Sequence, residues 1–131
     1  MNVLLDTHAI IWFIEGDFSL SKKAQEIIVA RDNEVSVSMA SFYEMAIKLK
    51  IKKLELKDNL KPFLEKVKAE NINILPLTEN HLIAYDTVPL IKDHRDPFDR
   101  LIIATALVEK ASIITIDKQF NQYDKLVSII W

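Results

Sequence analysis

Apolar residues follow two different patterns along the chain. Five short, largely apolar runs predict buried strands at 3–5, 35–37, 72–75, 113–116 and 127–130. Between them, apolar side chains recur at helical spacing in the segments 7–14, 24–30, 41–51, 60–69, 78–85 and 101–110. Buried strands that alternate with helices form a parallel sheet covered on both faces. The pattern therefore predicts an α/β three-layer sandwich with an open, mostly parallel five-stranded sheet.

Several predicted helices begin with residues that can bond free backbone N–H groups. Either Ser19 or Ser21 fits the cap of the second helix, and Ser41 with Glu44 fits a capping box that opens the third. Asp96 fits the cap of the last long helix. The segment 87–95, which contains a proline and several charges, predicts an irregular loop of the kind that often borders a site.

The composition is that of an ordinary globular protein. At 131 residues, with 50% hydrophobic and 27% charged, we expect residues 1–131 to form a single domain. No apolar run is long enough to cross a membrane and the start does not resemble a signal peptide, so we expect a cytoplasmic protein that does not act at a membrane. Because the chain has no cysteine, any metal must be held by oxygen or imidazole.

Charge is distributed unevenly along the chain. A net charge of -2 argues against binding of nucleic acid through overall electrostatics. The stretch 48–68, however, contains eight lysines and three acidic residues, a local charge of +5. Two interpretations stay open for this stretch: a solvated helix face, or a rim that follows nucleic-acid phosphates.

Four carboxylates fall at or near the predicted strand ends. Asp6 ends the first strand and Asp117 the fourth, while Glu44 and Asp99 lie in first turns of predicted helices. Ligands of open α/β sheets bind beyond the carboxyl ends of the strands, so we expect these side chains to meet in one crevice. Like charges gathered there raise one another's pKa values unless a cation neutralises them. Each acid also fits a simple helix cap, but four unrelated caps have no reason to share one rim.

Four segments in order resemble the acidic motifs of PIN domains. They are LLDTHA (4–9), S-x-x-S-x-x-E (38–44), HRDPFDRLIIA (94–104) and ITID (114–117). The HRDPFDR stretch is most similar to the VapC-like toxins of type II toxin-antitoxin systems. Together the motifs cover essentially the whole chain.

The resemblance implies a metal-dependent endoribonuclease that is the toxin of a toxin-antitoxin pair. It implies that Asp6 and Asp99 are the principal ligands of Mg²⁺ or Mn²⁺, that Glu44 completes the inner site and that Asp117 is the fourth, most variable acid. The partners it implies are an RNA substrate and a small antitoxin protein. Phosphodiester hydrolysis agrees with this donor set, because hard cations acidify water and neutralise phosphate charge.

Residues beside the acids are open to several interpretations. Thr7 and Thr115 match hydroxyl positions that can orient a carboxylate, whereas a helix cap explains Asp96 fully. His8 is expected to pack within an apolar helix.

Other residues near the motifs have more than one possible role. His94, Arg95 and Arg100 either hold a phosphate or are exposed charges. Trp12 and Phe13 are expected in the core, with part of their face in the interface of an expected homodimer.

Two rival functions need residues that the chain lacks, and a third stays open. A phosphotransfer receiver domain needs paired acids after the first strand, but Leu5 and Thr7 flank Asp6, and 75–77 supplies no acceptor. A haloacid-dehalogenase-type phosphatase needs an acid where His8 stands. A non-catalytic PIN-like module that binds RNA or a partner stays open.

Overall fold

The computed structural model describes residues 1–91 and 96–131. Its centre is a sheet of five strands, all parallel, in the order β3-β2-β1-β4-β5. This confirms the predicted fold class, and it makes β1 the central strand. The strands are β1 (Asn2–Leu5), β2 (Glu34–Ser38), β3 (Asn73–Leu75), β4 (Ser112–Ile114) and β5 (Ile129–Ile130).

Helices connect the strands and cover both faces of the sheet. They are α1 (Thr7–Glu15), α2 (Lys22–Val29), α3 (Met39–Lys50), α4 (Leu60–Ala69), α5 (Glu79–Thr87), α6 (Pro97–Glu109) and a 3₁₀ helix (Lys118–Tyr123). None of the helices in the described ranges is long and apolar enough to cross a membrane.

Alternation along β1 divides the hydrophobic core between the two faces of the sheet. Val3 and Leu5 pack into a cluster with α1 to α4, whereas Leu4 packs into a second cluster with α6 and the 3₁₀ helix. All three side chains are almost completely buried. The central strand is therefore fixed from both sides, and so is the residue that follows it.

The start of α3 differs from the prediction. Ser38, the last residue of β2, is also the N-cap of α3, and its Oγ accepts the N–H of Ala40 at 3.1 Å. Ser41 lies inside the helix, where its buried Oγ has no partner among the described residues. The capping box at Ser41 was wrong because the strand runs into the helix without a loop, so Glu44 lies beyond the first turn.

Other helix starts follow the prediction more closely. Ser21, rather than Ser19, caps α2 by accepting the N–H of Ala24 at 3.0 Å. Thr78 caps α5, with His81 completing a capping box. The predicted loop 87–95 differs at its first residue, because Thr87 is the last residue of α5. Residues 92–95 of this loop lie outside the described residues.

Candidate functional site

The four predicted acids lie around one cavity beyond the carboxyl ends of the central strands. The cavity has a volume of about 90 Å³. Helices α1, α3 and α6 contribute to it, together with the residues directly before α1 and α6 and the segment after β4. Its lining comprises Asp6, Thr7, His8, Glu44, Lys48, Asp96, Asp99 and Asp117.

Asp6 is held on both carboxylate oxygens. It caps α1 through Oδ1, which accepts the N–H of Ala9 at 2.8 Å, and its Oδ2 accepts the hydroxyl of Thr115 at 2.5 Å. Burial raises the pKa of Asp6, and the nearby charge of Asp117 raises it further, while the bonds from Thr115 and Ala9 oppose the rise. The negative form of Asp6 is thus costly to bury, and a nearby cation would stabilise it.

Glu44 is a buried carboxylate whose two oxygens both have partners. Oε1 accepts the hydroxyl of Thr7 at 2.6 Å, and Oε2 accepts a hydrogen bond from the ammonium of Lys48 at 2.8 Å. The predicted role of Thr7 and Thr115 in orienting carboxylates agrees with these contacts.

Lys48 places a positive charge at the cavity that the sequence analysis missed. Its hydrogen bond with Glu44 raises the pKa of Lys48, and the charges of Asp96 and Asp99 add to the rise, against partial desolvation. Lys48 therefore stays protonated. The available signal was the spacing of four residues from Glu44, which puts both side chains on one side of a helix.

The remaining acids stand at helix starts. Asp96 caps α6, as expected, by accepting the N–H groups of Phe98 at 2.8 Å and Asp99 at 3.3 Å. The half-buried Asp99 lies in the first turn of α6. The exposed Asp117 caps the 3₁₀ helix through the N–H of Gln119 at 2.9 Å. The positive ends of helix dipoles stabilise such carboxylates, so these roles are compatible with a further one at the cavity.

Two neighbouring residues differ from expectation. His8 is exposed at the cavity edge rather than packed inside, with its ring centroid 5.5 Å from that of Trp12. The reason is helical geometry, since His8 lies at the margin of the buried side of α1, one turn before the half-buried Trp12. Arg100 is buried, with its guanidinium carbon 5.8 Å from the ring centroid of Tyr85, so an exposed charge was wrong for it.

The other predicted neighbours agree with expectation in part. Trp12 and Phe13 are half-buried against the core. The ring centroids of Trp12 and Trp131 are 5.9 Å apart. His94 and Arg95, the two candidate phosphate contacts before α6, lie outside the described residues.

The donor set of the cavity suits a hard divalent cation, but the side chains are not gathered around one point. Carboxylates are the ligands that Mg²⁺ and Mn²⁺ prefer. In residues 1–91 and 96–131, however, no group of three or more His, Asp or Glu side chains is arranged to hold a metal ion. Glu44 instead contacts Lys48 and Thr7. A cation held by one or two of these carboxylates would complete its coordination with water molecules.

Comparison with known proteins agrees with this architecture. The model of the family described as PIN domain matches residues 3–126. The chain is 29% identical over 123 residues to Ribonuclease VapC22 of Mycobacterium tuberculosis, covering 93% of this chain and 92% of that protein.

Solved structures share the fold at low sequence identity. VapBC2 of Rickettsia felis, bound to a promoter DNA fragment, matches with a TM-score of 0.68 and 16% identity over 99% of this chain and 98% of that chain. A toxin-antitoxin complex from Klebsiella pneumoniae matches with a TM-score of 0.63 and 16% identity over 98% of this chain and 96% of that chain. FitAcB of Neisseria gonorrhoeae matches with a TM-score of 0.61 and 20% identity over 98% of this chain and 96% of that chain.

Proposed function

The chain belongs to the PIN domain family, and on this basis we propose that it is a metal-dependent endoribonuclease, the toxin component of a toxin-antitoxin pair. One observation carries the proposal: acids from four separate segments of the chain line a single cavity at the carboxyl edge of the sheet. The likeness to a ribonuclease over nearly its full length supports the same activity.

In this proposal Asp6 and Asp99 are the principal ligands of Mg²⁺ or Mn²⁺, Glu44 completes the inner site and Asp117 has an outer role. When bound, such a cation neutralises charge on the phosphate and lowers the pKa of a water molecule. Thr115 and the N–H of Ala9 hold the Asp6 carboxylate in one orientation. Because these donors come from two segments, the carboxylate is positioned before substrate arrives.

A cleavage assay tests the proposed activity directly. Purified protein is incubated with defined single-stranded and looped RNAs in Mg²⁺, in Mn²⁺ or in EDTA. We expect cleavage that EDTA abolishes and that Asp99→Asn removes, since one of the two principal ligands is lost. Asp32→Asn is the matched control, because Asp32 is exposed before β2, at the opposite edge of the sheet. Cleavage that persists unchanged in EDTA contradicts the metal-dependent mechanism.

The proposed partner is a small protein that inserts a basic side chain into the cavity. Five carboxylates line this cavity, and an arginine fork can bind them in place of a metal charge. The Klebsiella pneumoniae relative is itself a toxin-antitoxin complex, which agrees with such a partner. Toxicity on expression of the chain alone, relieved by the gene beside it, is the expected result. Harmless expression of active protein contradicts it.

Location in the cytoplasm and assembly as a homodimer belong to the same proposal. Light scattering on purified protein measures the second point, and a monomer at micromolar concentration would contradict it.

A non-catalytic PIN-like module that binds RNA or a partner is the second candidate. The observation that favours it is the engagement of both Glu44 oxygens by Thr7 and Lys48. This candidate predicts RNA binding with no cleavage at any Mn²⁺ concentration, so the assay above distinguishes the two functions.

A further inference from the structure

The ion pair between Glu44 and Lys48 occupies part of the cavity that the proposed function assigns to a metal ion. Lys48 Nζ and Glu44 Oε2 are 2.8 Å apart, and the Glu44 side chain is only 7% exposed. Thr7 bonds the other Glu44 oxygen, so this carboxylate has no oxygen without a partner. A divalent cation that binds Glu44 through Oε2 competes with the ammonium for the same oxygen.

We propose that Lys48 is a resident cation of this site, which competes with the divalent ion for Glu44 and, once displaced, contacts the substrate phosphate. The inference rests on the proposed function and adds a residue to it. Lys48 is anchored one helical turn beyond Glu44, so its ammonium remains at the cavity edge after it leaves the carboxylate. At this position the ammonium supplies a positive charge for the substrate phosphate without a further cation from solution.

The charges around the cavity explain why an ammonium group is favourable there in the metal-free protein. Without a metal, Asp96, Asp99 and Glu44 place negative charges around the ammonium, which compensates part of their repulsion. With a divalent ion bound, the ammonium and the ion repel each other. Lys48 therefore stabilises the metal-free site and weakens metal binding, while it strengthens the attraction for an anionic phosphate.

Replacement of Lys48 moves metal affinity and cleavage in opposite directions. We expect Lys48→Met to bind Mn²⁺ about tenfold more tightly in the absence of RNA, because a nearby positive charge is removed. At saturating Mn²⁺, the same variant should cleave RNA about tenfold more slowly, because a positive charge that attracts the phosphate is lost. Isothermal titration measures the first quantity, and single-turnover cleavage the second.

Two further variants serve as controls. Lys48→Arg keeps the charge and should resemble the parent in both measurements. Lys23→Met removes a charge from an exposed position of α2 outside the cavity lining and should also resemble the parent. Thermal melts without metal establish that each variant is folded, and Lys48→Gln replaces Lys48→Met if the latter is not.

The outcomes separate this inference from the proposed function. If the parent binds Mn²⁺ and cleaves RNA but Lys48→Met keeps the parental Mn²⁺ affinity, the role of Lys48 is wrong. A variant that loses both affinity and cleavage indicates a purely structural ion pair and also overturns the inference. If Lys48→Arg behaves like Lys48→Met, charge is not the cause. A parent that neither binds Mn²⁺ nor cleaves RNA refutes the proposed function, and the inference with it.

Discussion

At the scale of single residues, Asp6 and Asp117 each combine a helix cap with a place at the acidic cavity. Both accept a backbone N–H of the helix that follows them. Asparagine caps a helix about as well as aspartate but carries no negative charge. Substitution by asparagine therefore keeps the cap and removes the charge, which separates the two roles.

We expect metal-free Asp6→Asn to be at least as stable as the parent. Burial raises the pKa of Asp6, so its charged form is disfavoured in the folded protein, and removal of this charge offsets the loss of the oxygen that accepts the Thr115 hydroxyl. The added stability from Mn²⁺ should shrink, since it depends on the dissociation constant. Asp6→Asn should abolish cleavage, and Asp117→Asn should reduce it less. Thermal melts with and without Mn²⁺ and a cleavage assay measure these effects; an Asp6→Asn protein that cuts RNA at the parental rate refutes the site.

Thr115 is the other residue whose replacement isolates one contact. Its hydroxyl donates to Asp6 and accepts the N–H of Asp117, and its side chain is buried. Thr115→Val should lower the free energy of unfolding by about 1–3 kcal/mol, because buried polar groups lose their partner. Thr105→Val is the control, since within residues 1–91 and 96–131 that buried hydroxyl bonds just the Leu101 carbonyl, one turn earlier in α6. Equal losses in the two variants, measured by urea denaturation, would contradict the special role of Thr115.

At the scale of elements, apolar patterns predicted all five strands and the long helices, but not every boundary. Ser38 and Ser41 are three residues apart, and the sequence-based prediction placed the cap at Ser41. Strand β2 decides between them, because it continues to Ser38 and passes directly into α3. Such a junction depends on how the strand pairs with its neighbours, which residue types at fixed spacing do not encode.

The two serines should respond differently to replacement by alanine. Ser38→Ala removes the cap of α3 and should cost about 1 kcal/mol. Ser41→Ala removes a buried hydroxyl without a partner among the described residues, so stability should stay the same or rise. Urea denaturation of the pair checks the assignment, and a larger loss for Ser41→Ala would reverse it.

The lysine-rich end of α3 offers a test of the phosphate-rim interpretation. Lys50, Lys52 and Lys53 are exposed; Lys50 is the last residue of the helix that carries Lys48, and the other two lie in the turn that follows it. If they contact RNA, reversal of all three charges to glutamate should weaken binding and flatten its dependence on salt. Reversal of the exposed charges at 22, 23 and 31 is the control. An unchanged salt slope would favour a solvated face.

At the scale of the whole molecule, the site was predictable to the extent that topology determines it. The rule that ligands bind beyond strand ends located Asp6 and Asp117, since it needs only the order of strands and helices. It could not reveal that Lys48 bonds Glu44 or that His8 faces outward, because these depend on rotamers and helix orientation. Nor could the residue types indicate that the carboxylates are not gathered around one point.

The hydrogen bond between Thr115 and Asp6 joins residues 109 positions apart in the sequence. The Asp6 carboxylate of the growing chain therefore waits for the synthesis of Thr115 before it is held in place. Translation adds about 5–20 residues per second, so this wait lasts at least several seconds. Long-range order in the fold therefore delays completion of the proposed site until β4 and the turn after it have left the ribosome.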